Sequence, residues 1–411
     1  MEYSIAKKRN TVDWSVIAAL VLLAIYSCIT LYSTTHGKTG ASVPSHIVEK
    51  QILFEVVGFI GMGIAAKFDY RLLAKWSRWL YALAVFLLLV VFAMPYRFGA
   101  HSWIPLGLFT LQPSEFAKLA LIIAEAAYMA KIDALGDASV GSWKKFGIII
   151  GLVLPPFGLT LIEPALGQAI VLFATVFIMV MVFSKRWQFV VIVLLLFTVV
   201  LGVTMLAMNY PAQTTAFINN VLVKHHLIKS FEADRIIVWL NPNFQPMGAG
   251  YNVRLAQIAI GSGGVFGEGL LQGVLTSAGS IPNQWNDFIF TAVGEQFGFV
   301  GSTVLIVTFL VLFYRLSRIA AQSVDPFGAY VVMGVMGMFG FQVFESIGMN
   351  MYLSPATGIT LPFMSYGGSA LLIDYVAVGV ALQVFARSRQ TYFTSSEITF
   401  ESPGIRALFR G

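Results

Sequence analysis

Charge is scarce in this sequence. Asp, Glu, Lys and Arg make up 11% of its 411 residues, against roughly 25% in a soluble globular protein. Cysteine is scarcer still. Cys28 stands alone, which excludes an internal disulfide framework and any Cys/His metal cluster. Low-complexity tracts and clear internal repeats are absent. The formal charge of +6 is not gathered into a basic stripe with interleaved aromatics, so nucleic acid is not an expected partner. The run Gly261-Ser262-Gly263-Gly264-Val265-Phe266-Gly267-Glu268-Gly269 resembles a phosphate loop at a glance. It fails both the dinucleotide and the Walker spacing. No nucleotide or organic cofactor is expected.

Apolar residues fill the space that charge leaves. They form 57% of the chain, and the mean hydropathy is +0.79. A spanning helix needs roughly 20 mostly apolar residues. Such runs fall at 13–35, 50–66, 77–95, 113–131, 146–162, 166–184, 187–208, 289–314, 327–350 and 367–386. The expected fold is an all-α, polytopic membrane bundle of about ten helices. The first run follows Lys7, Lys8 and Arg9, as in a signal peptide, but it is longer than a typical h-region and is read as a retained span.

Lys and Arg set the expected orientation. With the N-terminus inside, most of the 26 basic residues fall in inner segments, among them Lys67, Arg71, Lys144, Arg315 and Arg387. That is the positive-inside pattern, and it places both termini in the cytoplasm. Residues 1–390 then form one membrane domain, and 391–411 a short cytoplasmic tail. The connection from about Asn209 to Asn286 lies outside. So long a segment is rarely structureless, and short interfacial or re-entrant helices are expected in it.

Polar groups inside apolar runs are costly and therefore informative. The fourth run opens Gln112-Pro113-Ser114-Glu115-Phe116-Ala117-Lys118. Glu115 and Lys118 are i,i+3 neighbours that can pair, as a structural brace or as the lining of a polar cavity. Glu345 and Asp374 are similar candidates, more structural than catalytic. Asp287 stands where the long outer segment re-enters the membrane, with Glu295 two turns deeper on a similar face. A partly desolvated carboxylate has a raised pKa and suits a general base. Its bland alternative is a helix cap. The segment from Ser354 to Ser369 breaks the pattern with two prolines and several glycines. Such backbone at membrane depth lines a cavity or is buried in protein. The N–H groups around Ser365, Gly367, Gly368 and Ser369 are candidates for holding a phosphate, and a tight hairpin is the alternative. The topology puts all of these segments on the outer face, where one cavity could gather them.

At these residues the chain resembles the SEDS family (shape, elongation, division and sporulation), which includes RodA, FtsW and SpoVE. The resemblance runs from about residue 13 to 390. Its signals are Gln112-Pro113-Ser114-Glu115 with Lys118, Ala259 to Gly264, Asp287-Phe288-Ile289-Phe290 with Glu295, and Thr357 to Pro362 with Ser365 to Ser369. It implies a peptidoglycan glycosyltransferase that polymerises lipid II outside the cytoplasmic membrane, beside a class B penicillin-binding protein. It also implies that Asp287 is the essential carboxylate. The leaving lipid diphosphate needs cations or N–H donors. A divalent cation (Mg or Mn) is one candidate, and Arg235, Arg254, Lys118 and the turn at 367–369 are others. Three positions depart from the family pattern. Ala165 replaces the usual Asp of Gln-Pro-Asp-Leu-Gly, with Glu163 nearby as a substitute acid. Ser102 replaces an Arg before Trp103. Glu295-Gln296 replaces Glu-Glu.

Two rival classes share the pattern. A lipid II flippase would also use a polar cavity and broken helices, and a scaffold for the transpeptidase would need no base at all. Within the family, Gly250-Tyr251-Asn252 and the short termini lean toward the RodA type over the division type.

Overall fold

The computed structural model describes residues 12–36, 46–94, 102–105, 110–134, 143–163, 165–184, 187–225, 228–241, 244, 248 and 250–401. In chain order the helices are α1 (Trp14–Thr35), α2 (Ile47–Lys67), α3 (Arg71–Val90), α4 (Pro113–Ala134), α5 (Trp143–Ile162), α6 (Leu166–Ser184), α7 (Trp187–Asn209), α8 (Pro211–Phe217), α9 (Ser230–Leu240), α10 (Tyr251–Ser262), α11 (Val274–Ala278), α12 (Ile289–Ala321), α13 (Pro326–Asn350) and α14 (Gly368–Glu401). Two short antiparallel strands, β1 (Ile104–Pro105) and β2 (Thr110–Leu111), precede α4, with Ile104 opposite Leu111. Each predicted span falls on one long helix. Helix α14 runs past its predicted span and through the start of the predicted tail, to Glu401.

Among the described residues, six helices are long and apolar enough to cross a membrane: α1, α3, α6, α12, α13 and α14. Helices α2 and α4 miss that standard because Glu49, Lys50 and Glu55, and Glu115, Lys118 and Glu125, interrupt them. Large apolar side chains such as Ile60, Ile64, Phe86, Leu154, Leu206 and Leu310 face outward. So much exposed apolar surface is what a lipid-facing bundle presents.

The core is built around α13 and α14, buried over 67% and 72% of their apolar stretches, whereas α3 is buried over 22%. Helix α14 packs on α2 through small residues. A side chain at Gly58 would overlap the Tyr375 ring, and one at Gly379 would meet Ala65. Close backbone approach of this kind replaces the hydrophobic drive that lipid cannot supply.

The long segment before α12 holds α8 to α11, as the expected short helices. Helix α8 continues into a wide π turn, Ile218–Val223. The glycine run at 261–269 has a structural use. It lies against α12, where Gly298 (φ 63°, ψ −157°) interrupts the helix. Phe299 N donates to Gly264 O (2.9 Å) and Val300 N to Val265 O (3.0 Å), while Glu268 N and Gly269 N donate to Glu295 O and Gln296 O. The loop thereby satisfies backbone groups that the break in α12 frees.

The two ends of the bundle differ. Asp287, the end of α13 and the start of α14 share one end. At the other, Arg315 Nε donates to Asp13 (3.0 Å), Arg71 pairs with Asp325 (3.7 Å) and Arg387 with Asp69 (3.6 Å). Tyr330 donates to Asp133 (2.5 Å), and Tyr70 donates to Asp325. These contacts tie α1, the α2–α3 turn, α4, α12, α13 and α14 together.

Candidate active site

Asp287 sits in the turn just ahead of α12. The helix cap is Phe288, with no side-chain cap bond, so Asp287 is not spent on capping. Its backbone is held by three successive carbonyl contacts. Tyr366 N donates to Trp285 O (3.0 Å), Ser365 Oγ to Asn286 O (2.7 Å) and Asn350 Nδ2 to Asp287 O (3.0 Å). Ser365 Oγ also accepts from Leu361 N (2.9 Å). A turn with three consecutive carbonyls fixed leaves its side chain little freedom of direction.

That side chain is half-buried. Asp287 Oδ2 lies 3.4 Å, and Arg235 Nη1 3.5 Å, from the point a Cβ on Gly358 would occupy. Gly358 has φ +75°, the left-handed region that favours glycine. The missing side chain keeps open a gap between a carboxyl and a guanidinium. Among the described residues Asp287 forms no ion pair. Burial pushes its carboxyl up to about 7, and the Arg235 charge pulls it partway back. A base poised near neutrality, with a cation across a narrow gap, can accept a proton and stabilise a neighbouring anion.

Arg235 projects from α9 and lies over Phe231 (5.8 Å to the ring centroid). Both line a cavity of about 150 Å³ with Leu166, Ile170, Glu232, Ile236, Pro355, Ala356 and Thr357. The wall is mostly apolar, and its acid Glu232 is engaged by Lys229 N (3.0 Å), so the cavity suits a short apolar group with an anionic head on the Arg235 side. Thr357 Oγ1 donates to Glu345 Oε1 (2.9 Å), bracing the wall from α13.

Other sequence candidates sit elsewhere. Glu295 does not share a face with Asp287, because Asp287 precedes the helix. Its carboxylate accepts from Leu275 N (2.7 Å) and Thr276 N (2.8 Å), and from Thr276 Oγ1. It therefore anchors the start of α11. Arg254 is exposed on α10 and makes no hydrogen bond or ion pair with Asp287. Gly368 packs on Phe54, whose ring a side chain there would strike. Ser369 Oγ accepts from Gln112 N (3.4 Å), while a side chain at Gly367 would meet Ala370 at ordinary contact distance (3.7 Å). The 367–369 turn thus packs α14 on its neighbours more than it cradles an anion.

Glu115 and Lys118 form a buried pair at 2.7 Å, both about 1% exposed or less. Gln168 Nε2 donates to Glu115 (2.9 Å), and Asp374 of α14 lies within electrostatic reach of both. Glu163, beside the departure at Ala165, is fully buried with neither carboxylate oxygen hydrogen-bonded. Burial pushes its carboxyl up to about 8. No group of three or more His, Cys, Asp or Glu that could hold a metal ion occurs among the described residues.

Sequence reasoning reached Asp287, Arg235 and Ser365. It missed Asn350 and Gly358, whose roles depend on contacts far apart in the chain. A lone Asn at the end of an apolar run was the signal for Asn350, and Gly358 lay unremarked within the segment from Ser354 to Ser369 already read as lining a cavity.

Residues 12–390 match the family of cell cycle proteins that groups FtsW, RodA and SpoVE. Stage V sporulation protein E of Bacillus subtilis is 33% identical over 388 residues, covering 93% of this chain and 99% of that protein. The peptidoglycan glycosyltransferase MrdB of Escherichia coli K12 is 28% identical, covering 90% of this chain and 93% of its own length. A solved peptidoglycan synthase complex, described as coordinating polymerization and crosslinking, contains a chain with a TM-score of 0.73 and 25% identity, over 92% of this chain and 99% of that one. The crystal structure of RodA from Thermus thermophilus shares the fold, with a TM-score of 0.61 at 24% identity, over 91% of this chain and 96% of that one. The matched length and the shared bundle agree, and this chain belongs to the FtsW, RodA and SpoVE family.

Proposed function

We propose that this protein is a peptidoglycan glycosyltransferase, polymerising lipid II on the outer face of the bacterial cytoplasmic membrane. Both termini are then cytoplasmic. The observation that carries this reading is the clamped, half-buried Asp287 facing Arg235 across Gly358. In the proposed step, Asp287 takes the proton from the acceptor hydroxyl as its oxygen attacks the anomeric carbon of the lipid-linked strand. The new C–O bond forms as the bond to the lipid diphosphate breaks. The electron pair leaves with the diphosphate, where Arg235 stabilises the growing charge. The proton stays on Asp287 until water removes it. One base and one attack imply inversion, and recovery of a glycan–enzyme covalent adduct would contradict it.

The test supplies lipid II to the purified full chain with a class B penicillin-binding protein, the proposed partner. That choice is supported by the related complex that couples polymerization to crosslinking. Glycan strands should form, and Asp287→Asn should reduce them about 100-fold or more. Equal polymer from Asp287→Asn would sink the catalytic assignment. The contacts tying the opposite end of the bundle weigh against a flippase, because alternating access has to open that end too. Lipid II crossing vesicles with no polymer formed would reverse this preference. An elongation role is proposed over division. Depletion should round the cells, and filaments would assign the division role instead.

A further inference from the structure

Asp287 and Arg235 come from separate elements and make no ion pair with each other. Something else must set their spacing. The end of α13 holds the Asp287 turn, and the turn just after it holds the helix that carries Arg235. Asn350 is fully buried and every arm of its amide is used. Nδ2 donates to Asp287 O (3.0 Å) and to Ser346 O (2.7 Å), and Oδ1 accepts from Thr291 Oγ1 (2.6 Å). Two residues on, Tyr352 adopts φ +65° and its hydroxyl donates to Val238 O. Val238 lies one turn beyond Arg235 on α9.

We propose that Asn350 and Tyr352 are positioning residues for the transfer, one holding the base and the other holding the helix that carries the cation. The inference rests on the glycosyltransferase reading above. Only an amide offers two donors and an acceptor in one plane. Removing it leaves the part-buried Asp287 carbonyl without its partner and frees the Asp287 turn to shift. A misplacement of about 1 Å can cost ~100-fold in rate. Tyr352 acts at the other side of the gap. Losing its hydroxyl loosens α9 and Arg235, which grip the substrate's anionic group, and leaves Asp287 in place. The two residues therefore have separable kinetic signatures.

The experiment compares the full chain and its Asp287→Asn, Asn350→Ala, Asn350→Asp and Tyr352→Phe variants in the lipid II assay, with rates normalised to folded protein. Asn350→Ala should lower kcat about 10- to 100-fold with KM within about twofold of the parent. Asn350→Asp keeps the shape and the acceptor for Thr291 but has no N–H for Asp287 O, and it should lose kcat in the same way. Tyr352→Phe should raise KM several-fold and lower kcat as well, because Arg235 also stabilises the leaving diphosphate. The proposal is overturned by parental kcat in either Asn350 variant, by losses that vanish on normalisation, or by no change in KM for Tyr352→Phe. If the unaltered chain makes no glycan, or Asp287→Asn equals it, the glycosyltransferase reading has failed instead.

Discussion

A carboxyl group near its midpoint at neutral pH responds to small changes in its surroundings. Asp287 must be ionised to act as a base. With its carboxyl raised to about 7, kcat/KM should fall about tenfold per pH unit below that value. Arg235 favours the ionised form, so Arg235→Ala should move this acid limb to higher pH as well as weaken binding. A pH–rate profile of the two proteins checks both, and an unmoved limb would remove Arg235 from the electrostatics of the base. Asp287 was legible in the sequence because an acid at the mouth of an apolar run is costly and conspicuous. Gly358 was not, since its value lies in the space it leaves between partners 71 and 123 positions away in the numbering. Glu295 was misplaced for a simpler reason: helical periodicity was extended back past the first turn of α12.

At the scale of elements, the break in α12 is the most demanding feature. Gly298 has φ +63°, and a side chain there would come within 2.7 Å of Val265 O. Gly298→Ala should cost about 1–3 kcal/mol, read as a lower unfolding temperature in detergent. It should also disturb the loop at 263–269. An unchanged melting curve would mean that the loop and helix can part without penalty. The spans themselves were readable because about twenty apolar residues admit few other folds in lipid. The glycine run was recognised as unsuited to nucleotides, yet its docking on α12 was invisible. It rests on backbone hydrogen bonds, which carry no residue signature. Helix α10 was missed as an individual helix because it is short and half polar.

For the molecule as a whole, Glu115, Lys118, Gln168 and Asp374 bring α4, α6 and α14 together in the interior. Lys118→Met leaves two buried acids without their cation and should cost about 3–5 kcal/mol. Adding Glu115→Gln keeps an acceptor for Gln168 and should recover part of the loss. Thermal unfolding of the single and double variants measures this, and additive losses would show that the groups are not coupled. The sequence announced the i,i+3 pair but not Gln168, which reaches it from another helix.

The lacing at the far end has a consequence for supply. Opening a passage there would mean parting Asp13 from Arg315, Asp69 from Arg387, Asp133 from Tyr330, and Asp325 from Tyr70 and Arg71 together. A vessel with one mouth can be filled only from the side it faces. If this protein polymerises as proposed, its sugar-bearing lipid must already have changed leaflets before reaching Asp287. The rate of wall growth would then answer to two machines in series, with the spent carrier having to make the return crossing elsewhere.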